Sequence, residues 1–113
     1  MNNQFHLKTK YCDRPNCAFY TGRYVKGGIY IGVQSDGEDG PEPWMDVTVN
    51  LVQEIPKGAI AVKSYSENEG LLEFLLELGL IKRVLCYEQS GYVKIPICEY
   101  DPKVLDHYCA DKT

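Results

Sequence analysis

AIAVKSYSENEGLLEFLLELGLI, residues 59–81, is where the hydrophobic period of this chain changes. Over residues 59–63, Ile60 and Val62 fall on one face, the period of two that a short strand requires. From Ser66 the pattern becomes helical. Ser66-Glu67-Asn68-Glu69 matches a capping box, in which the Ser66 hydroxyl accepts from the Glu69 N–H and the Glu69 carboxylate reaches back to the Ser66 N–H. Glu67 and Glu69 at that end would complement the helix dipole. Leu71, Leu75 and Leu78 then stack on one face with Leu72 beside them, while Glu73 and Glu77 share the wet side. Gly70 is a mild cost in the first turn, and Gly79 is placed to end the helix. The stretch predicts one amphipathic helix from Ser66 to Gly79, entered and left by strands.

Working outward, Trp44-Met45-Asp46-Val47-Thr48-Val49-Asn50-Leu51 alternates most cleanly, with Met45, Val47, Val49 and Leu51 on a buried face and Asp46, Thr48 and Asn50 opposite. Residues 35–43 (SDGEDGPEP), with four carboxylates among glycines and prolines, read as a loop. Residues 17–24 and 29–34 read as a hairpin turning at Gly27-Gly28, with Gly32 marking a bulge or a close backbone approach. Residues 1–16 read as an irregular arm. Downstream, residues 80–87 and 92–100 flank a turn at 88–91. Pro96 suggests that the last strand is a bulged or edge strand, one able to pair between chains. Asp101-Pro102 would cap a short terminal helix. The order β-β-β-β-α-β-β predicts an α+β fold, a mostly antiparallel sheet packed against one main helix, with residues 17–113 as a single domain.

The length of 113 residues suits one core, and the hydrophobic and charged fractions of 44% and 25% are ordinary for a globular chain. A net charge of −4 and scattered lysines and arginines argue against binding nucleic acid through phosphates. The first residues carry no apolar signal region, and Glu73 and Glu77 interrupt the most apolar stretch. A cytoplasmic protein without a membrane segment is therefore expected, its five cysteines reduced.

The chemistry-bearing residues form few constellations. Cys12 and Cys17 flank a proline turn that could make a zinc knuckle or a small disulfide. The available partners, His107 and Cys109, alternate faces in a strand, and Cys86, Cys98 and His6 complete the inventory. Unrelated thiols are the simpler reading, and no metal or cofactor is expected. With both histidines near the chain ends, a thiol beside a positioned base is not evident. Asp46, Glu67 and Glu69 could line a carboxylate cleft if one had a raised pKa. The acidic stretch 36–40 lacks the spacing of an EF-hand calcium loop. Trp44, Tyr20, Tyr24, Tyr30 and Tyr65, together with Asn and Ser, suit an interaction surface.

The strand Asp46-Val47-Thr48-Val49-Asn50-Leu51, the stretch Val62-Lys63-Ser64-Tyr65-Ser66-Glu67-Asn68-Glu69-Gly70, and Leu78-Gly79-Leu80-Ile81 after the helix carry a resemblance, supported by the tyrosine-rich strand near Tyr20–Tyr30. Over residues 17–87 the chain resembles an uncharacterised family of small bacterial proteins carried on conjugative elements and phages. That resemblance implies a genomic context and no established activity. The expected function is a non-enzymatic accessory or regulatory interaction protein of a bacterial mobile element, acting on a protein of the host or of the element. Its expected surface is Trp44, Asp46, Thr48, Asn50, Tyr65, Glu67 and Asn68. The alternatives are a single-stranded nucleic-acid-associated protein using the tyrosines, and a small enzyme using the carboxylates.

Overall fold

The computed structural model describes residues 3–25, 28–51 and 54–110. Along them run β1 (Phe5–Lys8), β2 (Asp13–Arg23), β3 (Ile29–Gly37), β4 (Gly40–Asp46), β5 (Ala59–Ala61), α1 (Leu71–Leu78), β6 (Ile81–Ser90), β7 (Val93–Tyr100) and α2 (Pro102–His107). The fold is α+β and mostly antiparallel, and from β2 onward the strands and the main helix follow the order β-β-β-β-α-β-β, with β1 added ahead of it. The strands divide into a four-stranded sheet, β1-β2-β3-β4, and a three-stranded sheet, β5-β7-β6.

The principal core lies between the two sheets and the helices. Phe19, Ile31, Val33 and Val47 meet Ile60, Val62 and Cys98, with Leu71 and Leu75 of α1 and Leu105 of α2 closing it. On α1, Leu71 and Leu75 are buried, Leu72 and Leu78 are half-buried, and Glu73 and Glu77 face solvent, as the period requires. The second face of the smaller sheet buries Ala59, Ala61, Ile95 and Ile97 under Val49, Leu51, Ile55 and Tyr65.

Several expectations are corrected. The arm at residues 1–16 contains β1 and the start of β2, and Phe5 and Leu7 enter the core. Each such burial contributes about 1.5–3 kcal/mol, enough to order a strand too short to show a period. The acidic stretch 35–43 is no loop. β3 runs through it to Gly37, and β4 begins at Gly40, whose φ of +108° lets the chain reverse over Glu38 and Asp39. Gly27 lies outside the described residues. The second hairpin turns at Gly91-Tyr92, since Ser90 already pairs with Val93.

The last strand is central, not an edge. Pro96 is tolerated there because its carbonyl accepts from the Val62 N–H at 3.0 Å, just past the end of β5. Lacking an N–H, Pro96 returns no bond to Val62, so the proline costs one ladder bond at the very end of the β5–β7 pairing.

The capping box does not form. Ser66–Asn68 is a turn of 3-10 helix in which Ser66 has φ +55°, and no side chain caps it. α1 starts after Gly70 at φ +92°, and Gly79 at φ +95° ends it in the left-handed conformation foreseen. At α2 the predicted cap is present, with Asp101 accepting from the Lys103 N–H at 2.9 Å ahead of Pro102.

Candidate functional site

Strand 44–51 was expected to be continuous, but β4 ends at Asp46 and the chain then changes sheets. The Val47 N–H donates to Ile31 of β3 at 2.9 Å, while the Val47 carbonyl accepts from Lys63 at 2.7 Å. The Val49 N–H donates to Ala61, and Thr48 bridges Val62. This seam explains two polar residues assigned to the surface. Thr48 is 4% exposed, its hydroxyl accepting from the Ile31 N–H at 3.1 Å and bonding the Tyr24 hydroxyl at 3.0 Å. Asn68 is 1% exposed, its amide donating to the carbonyls of Asp46 at 2.7 Å and Lys63 at 3.2 Å. The Asn68 amide ties the end of β4 to the segment after β5, whereas the Thr48 hydroxyl fastens the seam to the four-stranded sheet.

Above the seam opens a cleft of about 410 Å³, lined by Tyr11, Tyr20, Trp44, Asp46, Lys63 and Glu67 among others. It gathers four of the seven predicted residues: Trp44, Asp46 and Glu67, with Asn68 beneath. Asn50 lines a separate hollow with Tyr24 and Pro56, and Tyr65 packs on the second face of the smaller sheet with Lys63 over its ring. Cys12 and Tyr11, both missed, join the cleft because the short turn after β1 returns the chain beside β4. The Thr9 N–H to Cys12 carbonyl bond, 2.8 Å, closes that turn.

The register places each wall. Val33 pairs with Met45 and Gln34 with Pro43, so Trp44 is the extra residue of a β-bulge on the edge strand. Its side chain is thereby turned outward, 42% exposed. The Arg14 guanidinium lies 4.3 Å from the Trp44 ring centroid, and the indole N–H donates to the Cys12 sulfur at 2.9 Å. Arg14 is itself paired with Glu42 at 3.0 Å.

Tyr20, Gly32 and Asp46 occupy one rung across β2, β3 and β4, and so share a face. Gly32 is a close approach of a different kind from the backbone contact expected, because tyrosine side chains lie over it. A Cβ there would lie 2.6 Å from both the Tyr20 ring and the Tyr30 hydroxyl. In the space it leaves, the Tyr20 and Tyr30 hydroxyls meet at 3.1 Å, and the Tyr30 hydroxyl donates to the Asp46 carboxylate at 2.6 Å. Burial, then this bond to Asp46, raises the Tyr30 phenol above its ordinary value, so it stays protonated and donating. On the opposite wall, the Glu67 carboxyl is held below its usual value by its own backbone N–H and then by Lys63 at 3.2 Å. Glu69 pairs with Lys10 and does not line the cleft.

Among the described residues, no group of three or more His, Cys, Asp or Glu is arranged to hold a metal ion. His6 pairs with Asp13, and the His107 ring meets Tyr108 edge to face. All five cysteines are free thiols, and burial raises Cys17 and Cys98 above the ordinary thiol value, the latter to about 11. No helix among the described residues is long and apolar enough to cross a membrane.

Comparison with characterised proteins and with solved structures found no match. A family model does match, over residues 21–113, which include Trp44, Asp46, Lys63, Glu67 and Asn68 but not the Tyr11, Cys12 and Tyr20 wall. The chain therefore belongs to the DUF4313 family, a domain of unknown function.

Proposed function

We propose that this protein is a non-enzymatic accessory or regulatory interaction protein of a bacterial mobile element, and that it engages a partner protein of the host or the element through the Trp44 cleft. The observation that carries this reading is the bulge. An edge strand spends one residue out of register to turn the chain's single tryptophan toward solvent, between Arg14 and Cys12. Bulges of this kind re-aim side chains beside functional sites, and a tryptophan flanked by tyrosines is the composition of an interface hot spot. Glu67 fits a general acid poorly, because that role at neutral pH needs a raised pKa and Glu67 is shifted the other way, and Glu69 pairs with Lys10 outside the cleft. The net charge of −4 also favours a protein partner over nucleic acid.

The test is capture from bacterial lysate with tagged wild-type protein, Trp44→Ala and Tyr11→Ala, each with and without nuclease. Tyr11 is 61% exposed, so its loss leaves the fold intact. A discrete protein retained by the wild type after nuclease, and lost from both variants, supports the reading. Capture that is unchanged in both variants, or that nuclease abolishes, overturns it.

A further inference from the structure

The charges around the cleft are matched in pairs with one exception. Arg14 is paired with Glu42, Lys63 with Glu67 and Lys10 with Glu69. Asp46 has no such partner. Among the described residues no lysine or arginine reaches it, and its carboxylate accepts only from the neutral Tyr30 hydroxyl. The cleft thus holds one uncompensated negative charge, among the side chains of Tyr11, Tyr20 and Trp44. Aromatic faces attract a cation through their quadrupole, and a carboxylate at the same place fixes its position. The Trp44 ring already accepts one cation, Arg14. A space of about 410 Å³ accommodates an ammonium or guanidinium head together with its methylene stem.

Building on the interaction reading, we infer that the cleft is a receptor for a single basic side chain, lysine or arginine, presented by the partner protein, with Asp46 as its counter-ion and Tyr11, Tyr20 and Trp44 as its aromatic walls. Tyr30 acts as a positioning residue. Its hydroxyl holds the carboxylate in place without neutralising it. Gly32 matters indirectly, because any side chain there would displace Tyr20 and Tyr30. The acidic hairpin tip at Glu38 and Asp39 offers carboxylates without the aromatic walls.

The experiment is a nitrogen–proton NMR titration of the labelled protein, read at the indole N–H of Trp44, the chain's one tryptophan. The probes are N-acetyl-arginine methylamide, N-acetyl-lysine methylamide, and the neutral isostere N-acetyl-citrulline methylamide. Asp46→Asn removes the charge but keeps an oxygen to accept from Tyr30, so the relay and the fold persist. The expected result is a saturable shift with a cationic probe, absent with citrulline. Asp46→Asn should weaken it by about tenfold or more, the equivalent of roughly 1.4 kcal/mol. Tyr11→Ala should weaken it several-fold, and Glu38→Gln should leave it unchanged. Failure of both cationic probes to saturate overturns the inference, as does equal binding of citrulline or undiminished binding by Asp46→Asn. None of these failures touches the broader reading, which stands or falls on capture by the Trp44 and Tyr11 variants.

Discussion

Asn68 is the residue whose replacement tests the architecture of the site most directly. Its amide sits 1% exposed and makes two donations, to the Asp46 carbonyl at 2.7 Å and to the Lys63 carbonyl at 3.2 Å. It therefore ties the end of β4 to the segment after β5. Asn68→Ala removes both bonds and leaves two carbonyls short of a donor. A net hydrogen bond contributes about 0.5–1.5 kcal/mol, and a buried group left unpaired costs about 1–3 kcal/mol. With the second bond long, the expected loss is about 2–3 kcal/mol. Asn68→Asp is nearly isosteric and sharper, since its carboxylate would present an acceptor to two acceptors. Burial and carbonyl oxygens both favour the protonated acid, so its folded-state pKa lies above the unfolded value of about 3.9. Stability from such a group is fully present below the unfolded pKa and is lost as pH rises through the folded pKa. Relative to wild type, Asn68→Asp should show a larger deficit at pH 7 than at pH 4.5, and at pH 7 a larger deficit than Asn68→Ala. Urea denaturation followed by circular dichroism and by Trp44 emission measures both quantities. An Asn68→Ala loss under about 0.5 kcal/mol, or an Asn68→Asp deficit independent of pH, would refute the bracket and with it the account of how the cleft is held open.

Two further outcomes follow from the geometry. Ser66→Ala should change stability by less than about 0.5 kcal/mol, because the hydroxyl caps nothing, whereas Ser66→Gly should gain up to about 1 kcal/mol by relieving φ +55°. A loss on the order of 1 kcal/mol in Ser66→Ala urea melts would restore the capping box. Burial raises Cys98 from 9.0 to about 11, so its stabilising contribution is whole below about pH 9 and fades as pH climbs toward 11. Cys98→Ala should therefore flatten the decline of stability near pH 10 by about 1 kcal/mol per pH unit, and an unchanged slope in urea melts across that range would show that the thiol titrates freely.

What the sequence made legible divides along physical lines. Long periodic segments and helix ends were readable: α1 with Gly79, and Asp101-Pro102 at α2, follow from local preferences that the fold leaves undisturbed, whereas Gly32 stood out but the tyrosine side chains over it did not. β1 was hidden because four residues with Phe5 and Leu7 buried give too little alternation to register. The β3–β4 hairpin was hidden for the opposite reason: the stretch 35–43 reads as turn chemistry because little of it faces the core, although Arg14 anchors it by donating to Ser35 at 2.7 Å and pairing with Glu42. The capping box failed to tertiary competition. Glu69 is drawn to Lys10, and Ser66 turns left-handed so that Asn68 can reach under the cleft.

That competition also gives the stretch Ser66-Glu67-Asn68-Glu69-Gly70 a different meaning from the one its letters suggest. Asn68 is fixed by two backbone carbonyls and Gly70 by a φ of +92°, so the most distinctive part of the motif is structural. Of the motif only Glu67 presents a side chain to the cleft from the exposed surface, and Lys63 already answers it. Alternation treats polar as outward, and it therefore ranked Thr48 and Asn50 with Asp46, while Asn68 of the helix-start stretch was assigned to the same surface. Hydrogen bonding separates them. Thr48 and Asn68 have their groups satisfied by the seam, whereas the Asp46 carboxylate meets, among the described residues, the Tyr30 hydroxyl and no lysine or arginine. A carboxylate without a basic partner among the described residues, beside an exposed indole in a cleft whose other described charges are paired, is where this surface departs from what folding alone requires.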